Sequence, residues 1–195
     1  MTDWESCYLD GNTPWDKGEA SPPLSAWVMK HTLQGRALVP GCGVGHDVAL
    51  LVDHGLDALG VDLSRTAVEK ARETHAALAD RFIQGDLFAL PAEWSGTFDY
   101  VFEHTCLCAL PPELRQSYRK TVTELLKPGG RLVGVWFINP DMEPGEEGPP
   151  FGISLEDLEV LFPASEWTVE EDYIPEEAYD GRVGRERLRV LCKRS

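Results

Sequence analysis

RALVPGCGVGHDVALLV, residues 36–52, is the stretch on which the fold turns. The short apolar run RALVP meets three glycines spaced G-x-G-x-G at 41, 43 and 45, and an apolar helical pattern begins at once. A strand that turns on glycine into a helix is how a nucleotide-type cofactor site begins, because backbone without side chains lets a ligand lie against it. The dinucleotide fingerprint G-x-G-x-x-G is not met, so the spacing points away from a pyrophosphate ligand.

Working outward, the elements alternate. SPPLSAWVMKHTL upstream reads as a helix with Ser21 as N-cap and prolines in its first turn. Downstream, DALGVD is a second strand ending on Asp62. A helix from Ser64 carries Ala67, Val68, Ala71 and Leu78 on one face, and RFIQGD is a third strand. FDYVFEH is a fourth, followed by the helix PPELRQSYRKTVTELL, which KPGG stops before the fifth strand, RLVGVWFI. SLEDLEVLF reads as a further helix, and WTVEEDYI and RERLRVLCK as a terminal antiparallel pair. Parallel neighbours need crossover helices, so the expected class is doubly wound α/β: a mostly parallel seven-stranded sheet with an antiparallel C-terminal strand, formed by residues 1–195 as one domain.

Composition narrows the function. The chain has 195 residues and a formal charge of −15, and residues 132–181 hold fourteen of its 33 acidic residues and no lysine or arginine. Such a surface repels a phosphate backbone, which speaks against DNA or RNA as a partner. Six of the 18 basic residues gather at 182–194, as an anion-attracting edge or a charged edge strand. No apolar run is long enough to span a bilayer and the acidic start lacks a signal's basic region, so a cytoplasmic protein without membrane partners is expected. The five cysteines are odd in number and scattered, as free thiols are, and no second Cys/His pair completes a metal site around Cys106 and Cys108.

In a doubly wound sheet the ligand lies beyond the carboxyl ends of the strands, where the glycine turn sits. Asp62, 19 residues after Gly43, suits a carboxylate accepting hydrogen bonds from ribose hydroxyls, a feature common to NAD and S-adenosylmethionine sites. Asp86 suits an adenine amino group, with Leu87 and Phe88 against the ring. Both aspartates also suit helix or turn caps. Glycine turn, Asp62, Asp86 and KPGG, in this order and spacing, resemble the class I S-adenosylmethionine-dependent methyltransferases.

TPWD, PGCGVGHD, EHTCLCALPPELR, GPPF and GRERLRVL together resemble the superfamily of thiopurine S-methyltransferases and halide/thiol methyltransferases over nearly the whole chain. The resemblance implies S-adenosylmethionine as cofactor, S-adenosylhomocysteine as product, and a small-molecule acceptor such as a thiol, sulfide, thiopurine or halide. It implies that Trp4, Tyr8 and Trp15 belong to a cofactor lid over residues 1–20, and that Gly41, Gly43 and Asp62 hold the amino acid and ribose parts. Asp86 and Leu87 would take the adenine end. His104 would lie near the methionine moiety and, with Phe151 in a substrate loop over 139–152, act at the acceptor.

Aromatic faces attract a sulfonium, by roughly 0.5–2 kcal/mol each. The same three aromatics also suit a terminal arm anchored to the core. His104 suits either a group that lowers a bound thiol's pKa or a structural histidine. Cys106 reads as a small buried hydrophobe, and His46 and Asp47 as helix cap and helix charge. A non-catalytic S-adenosylmethionine-binding regulator and a NAD oxidoreductase are the rival readings.

Overall fold

The computed structural model describes residues 2–138, 140 and 148–194. RALVP forms β1 (Arg36–Pro40), with four of five residues buried, as a strand covered on both faces must be. It is flanked by β2 (Asp57–Asp62) and β4 (Phe98–His104), both parallel to it. β3 (Phe82–Gln84) pairs with β2, and β5 (Leu126–Phe137) with β4, again parallel. β7 (Glu186–Lys193) runs antiparallel between β5 and β6 (Trp167–Tyr173), which completes the order β3-β2-β1-β4-β5-β7-β6. The expected seven-stranded sheet is therefore present, with β7 the strand that reverses.

Strand residues alternate between two cores. Ala37, Val39, Ala58, Phe102 and Val133 face one side. There they meet Leu24 and Trp27 of α2 (Pro22–Val28), Val48 and Leu51 of α3 (His46–Asp53), and Val68 and Ala71 of α4 (Arg65–Thr74). Leu38, Val61, Val101, Leu132 and Trp136 face the other, against Tyr118 and Val122 of α5 (Arg115–Leu125) and Leu158 and Leu161 of α6 (Leu155–Leu161). Each wholly buried aliphatic side chain contributes roughly 1.5–3 kcal/mol. Gly45 caps α3 at φ +87°, and a Cβ there would lie 2.4 Å from the Phe82 ring, so only glycine lets α3 start this close to β3.

Three local expectations are corrected. KPGG is no loop: α5 passes directly into β5, Leu126 pairs with Phe98, and the register shifts between Phe98 and Tyr100. Lys127, bonded to both carboxylate oxygens of Asp99 at 2.8 Å, ties this irregular start down. The helix from Ser64 stops at Thr74, and Leu78 falls in a 3₁₀ turn over Ala76–Arg81, which Arg72 braces through the Ala79 and Phe82 carbonyls. Ser21 does stand at the start of α2, but its hydroxyl makes no cap; its N–H donates to Asp47 at 2.7 Å instead. The N-terminal residues add α1 (Trp4–Leu9), which packs against α4. Among the described residues no helix is long and apolar enough to cross a membrane.

Candidate active site

A cavity of about 480 Å³ opens at the carboxyl ends of β1, β2 and β4. That is the switch point of the sheet, where β1 lies between β2 and β4, and the volume falls in the range of small-molecule sites. Trp4, Tyr8, Trp15, Gly41, Gly43, Asp62, Asp86, Leu87 and His104 all line it.

At one end Asp62 is 8% exposed, and its two carboxylate oxygens accept from Ser64 N–H and Gly43 N–H, both at 2.9 Å. Burial pushes its carboxyl above the usual range, against the pull of those two donors. Gly43, at φ +53°, has the conformation glycine adopts freely, and a Cβ would come within 2.8 Å of the Tyr8 hydroxyl. The surface beside Asp62 is thus bare backbone roofed by an aromatic ring. Asp86 lines the cavity further along and also caps its own turn, accepting from Phe88 N–H at 2.8 Å, as the turn-cap expectation has it.

The N-terminal aromatics form one unit. Trp15 donates from Nε1 to the Tyr8 hydroxyl at 3.1 Å, and its ring meets Trp4 edge-on at 5.3 Å. Burial and the charge of Asp62 raise the Tyr8 hydroxyl far above its ordinary value, so it stays protonated. α1 is fastened to the start of α4: Glu5 accepts from Ser64 Oγ, Thr66 Oγ1 and Thr66 N–H, at 2.6, 2.6 and 3.1 Å. Those bonds lower the Glu5 carboxyl to about 2. Lys70 adds a bond to the Tyr8 carbonyl at 2.7 Å.

The other end begins where β4 stops. Among the described residues Thr105 is the one non-glycine with positive φ, +63°, and it turns the chain sharply after His104. Buried Glu103 holds this turn, accepting from Cys106 N–H and Leu107 N–H at 2.9 Å and from the Tyr118 hydroxyl. Burial raises its carboxyl. His104 is 8% exposed and pairs through Nδ1 with Asp47 at 2.9 Å. Burial pushes the Asp47 carboxyl up, but the His104 charge and bond and the Ser21 N–H outweigh it, so it lies below its ordinary value. Asp47 is therefore more than a helix charge.

Phe137, Pro149, Pro150, Tyr179 and Arg182 complete the wall. Phe151 is not part of it. Its N–H donates to the Cys108 carbonyl at 2.6 Å and its ring lies under Gly148, so the cavity meets the two prolines before it. Residues 139 and 141–147 of the expected substrate loop lie outside the described residues. The Arg182 guanidinium stands 5.0 Å from the Phe137 ring and bonds Glu186 at 3.0 Å. Cys106 and Cys108 line the cavity with thiols raised by burial, Cys108 to about 12, and Cys106 is the buried small residue expected. Sequence reading missed Asp47, Phe137, Tyr179 and Arg182; the one available signal was the basic cluster at 182–194.

A cavity at the switch point of this sheet, bordered by Gly43 and Asp62, is the arrangement of a Rossmann-like fold, and comparison with known proteins makes this one an S-adenosylmethionine-dependent methyltransferase. Solved structures share the fold. The 1,6-didemethyltoxoflavin-N1-methyltransferase of Burkholderia thailandensis, with bound S-adenosylhomocysteine, superposes with a TM-score of 0.76 at 20% identity, over 99% of this chain and 86% of that one. A TehB-like methyltransferase of Corynebacterium glutamicum gives 0.70 at 17% identity, over 97% and 99%.

The chain belongs to the thiopurine S-methyltransferase family, whose model matches residues 1–191. It is 38% identical to thiocyanate methyltransferase 1 of Brassica oleracea, over 95% of this chain and 82% of that protein. It is 30% identical to thiopurine S-methyltransferase of Pseudomonas aeruginosa, over 86% and 84%.

Proposed function

We propose that this enzyme methylates a small soft acceptor, a thiol, sulfide, thiopurine-like sulfur or halide, by direct in-line displacement. The observation that carries this reading is the continuity of one cavity from the Gly43–Asp62 floor, beneath three aromatic rings, to the turn at His104. Asp62 would accept from the donor's ribose, bare backbone at Gly41 and Gly43 would take its amino acid part, and Asp86 and Leu87 its adenine. The bound donor supplies a sulfonium-activated methyl group. The chain's task is to align, to exclude water and to hold the acceptor at near-attack distance. Residues 1–20 serve as lid: Trp4, Tyr8 and Trp15 shield the sulfonium side with aromatic faces. Phe137 and Tyr179 wall the acceptor, while Phe151 acts from behind by fixing residues 148–152 to the turn after β4. His104 is the ionisable group of that turn which reaches the acceptor side.

The acidic surface suits a small-molecule substrate better than nucleic acid, and five free cysteines suit a reducing compartment such as the cytoplasm. Headspace mass spectrometry across methanethiol, bisulfide, thiocyanate, iodide and an aromatic thiol tests the reading. Methylated product from at least one sulfur acceptor, dependent on S-adenosylmethionine, is expected. Tight binding of S-adenosylhomocysteine with no product from any acceptor would instead make the protein a regulator, and preferential binding of NADH would sink the cofactor assignment.

A further inference from the structure

His104 has two ring nitrogens, and Asp47 occupies one. Ser21 N–H donates to one Asp47 oxygen at 2.7 Å and His104 Nδ1 lies 2.9 Å from the other, so in this carboxylate–imidazole pair Nδ1 carries the proton. In the neutral ring Nε2 is then the open acceptor. It is buried and, among the described residues, has no hydrogen-bond partner, although the ring lines the cavity. The neighbours that could satisfy it are engaged elsewhere. Tyr179, whose ring lies 5.9 Å away, donates its hydroxyl to the Glu19 carbonyl, and Glu103 is taken up by the turn after β4. A buried acceptor left open costs about 1–3 kcal/mol, which a ligand that donates a proton there recovers.

The charge of the cavity points the same way. Five carboxylates line it against two cations, Lys17 and Arg182, and Arg182 is already paired with Glu186. An acceptor that enters as an anion meets that field; a neutral one does not.

We infer that Asp47 and His104 form a proton-accepting dyad and that the acceptor suited to this chain is a neutral thiol, R–SH, rather than a preformed anion such as thiocyanate or a halide. This rests on the proposed methyl transfer. The S–H bond breaks, its electron pair stays on sulfur, and the proton moves to His104 Nε2, leaving an imidazolium beside the Asp47 carboxylate. The sulfur pair takes the methyl group while the pair of the broken carbon–sulfur bond stays on the donor's sulfur. The proton passes to solvent once the product has left. Asp47 is here a positioning residue: it fixes the tautomer and steadies the imidazolium.

Two measurements test the dyad. In ¹⁵N-histidine spectra of the intact enzyme, His104 is expected with its proton on Nδ1. Asp47→Asn, which can present an N–H to Nδ1, should move the proton to Nε2. In kinetics, His104→Gln and Asp47→Asn should each lower the ratio of kcat/KM for methanethiol to that for thiocyanate by about 100-fold, the span of general base catalysis. A proton on Nε2 in the wild type, or an unchanged ratio with both acceptors still methylated, overturns the dyad alone. A wild-type enzyme that methylates thiocyanate but no thiol of the panel also overturns the dyad alone, whereas failure to methylate any acceptor of the panel overturns the methyl transfer and the dyad with it.

Discussion

The two ends of the cavity are built differently. The end proposed for the donor is built on main chain: Gly41 and Gly43 in one turn, and one side-chain carboxylate clamped by two backbone N–H groups at the tip of the next strand. The acceptor end is made of side chains drawn from β4, α3, β5, the segment before α6 and the segment before β7. Main-chain sites are specified by short local motifs and tolerate little change. Side-chain sites depend on which long-range neighbours meet, and they leave room for different acceptors on one scaffold.

The sharpest way to break this contrast is Asp62→Ala. It removes the proposed ribose acceptor and strands two backbone N–H donors, of which the buried one at Ser64 costs about 1–3 kcal/mol. Affinity for S-adenosylhomocysteine, measured by calorimetry, should fall by about 100-fold or more. A loss below about threefold would show that the donor does not rest on Asp62. Gly43→Ala should follow at about tenfold, because the residue must adopt positive φ and its Cβ would displace the Tyr8 hydroxyl from 2.8 Å. A crystal structure of that variant should show Tyr8 separated from Trp15.

Legibility in the sequence divides along the same line. The strand–turn–helix at residues 36–52, Asp62 and Asp86 were readable because each sits in a motif whose spacing carries its place at the cavity, and the parallel α/β class followed from the alternation of strand and helix patterns. The partnership of Asp47 with His104 was not readable, because 57 residues separate them and only the parallel packing of β1 against β4 brings them together. Phe151 shows where a motif and the cavity wall part. A motif resemblance put it at the acceptor, but the long-range bond of its N–H to the Cys108 carbonyl leaves Pro149 and Pro150 in front of it.

That difference gives a paired test at the acceptor end. Phe137→Ala removes a ring from the cavity wall and one of the two rings that the Arg182 guanidinium rests on, so KM for the acceptor should rise about five- to tenfold with donor affinity nearly unchanged. Phe151→Ala should act less, through the position of the loop, and should change the preference among acceptors rather than the binding of any one. A larger effect from Phe151 than from Phe137 would restore it to the wall.

The smallest effect concerns the arm that joins the two ends. Glu5 fastens α1 to the start of α4 through Ser64 and Thr66, and Ser64 is also the residue whose N–H holds Asp62, so lid and ribose site share one anchor. Glu5→Ala should weaken S-adenosylhomocysteine by only about threefold, since Lys70 still holds the Tyr8 carbonyl. The pH dependence shows whether the arm is docked before ligand arrives. The Glu5 carboxyl is lowered from 4.5 to about 2, so its contribution is complete above about 4.5 and is lost as pH falls through about 2. Tryptophan fluorescence of the ligand-free wild type should therefore report Trp4 and Trp15 leaving their packed positions across that interval. In Glu5→Ala this transition should be missing. Identical acid profiles for the two proteins would mean that the arm is loose until donor binds, and that the donor end completes its roof only then.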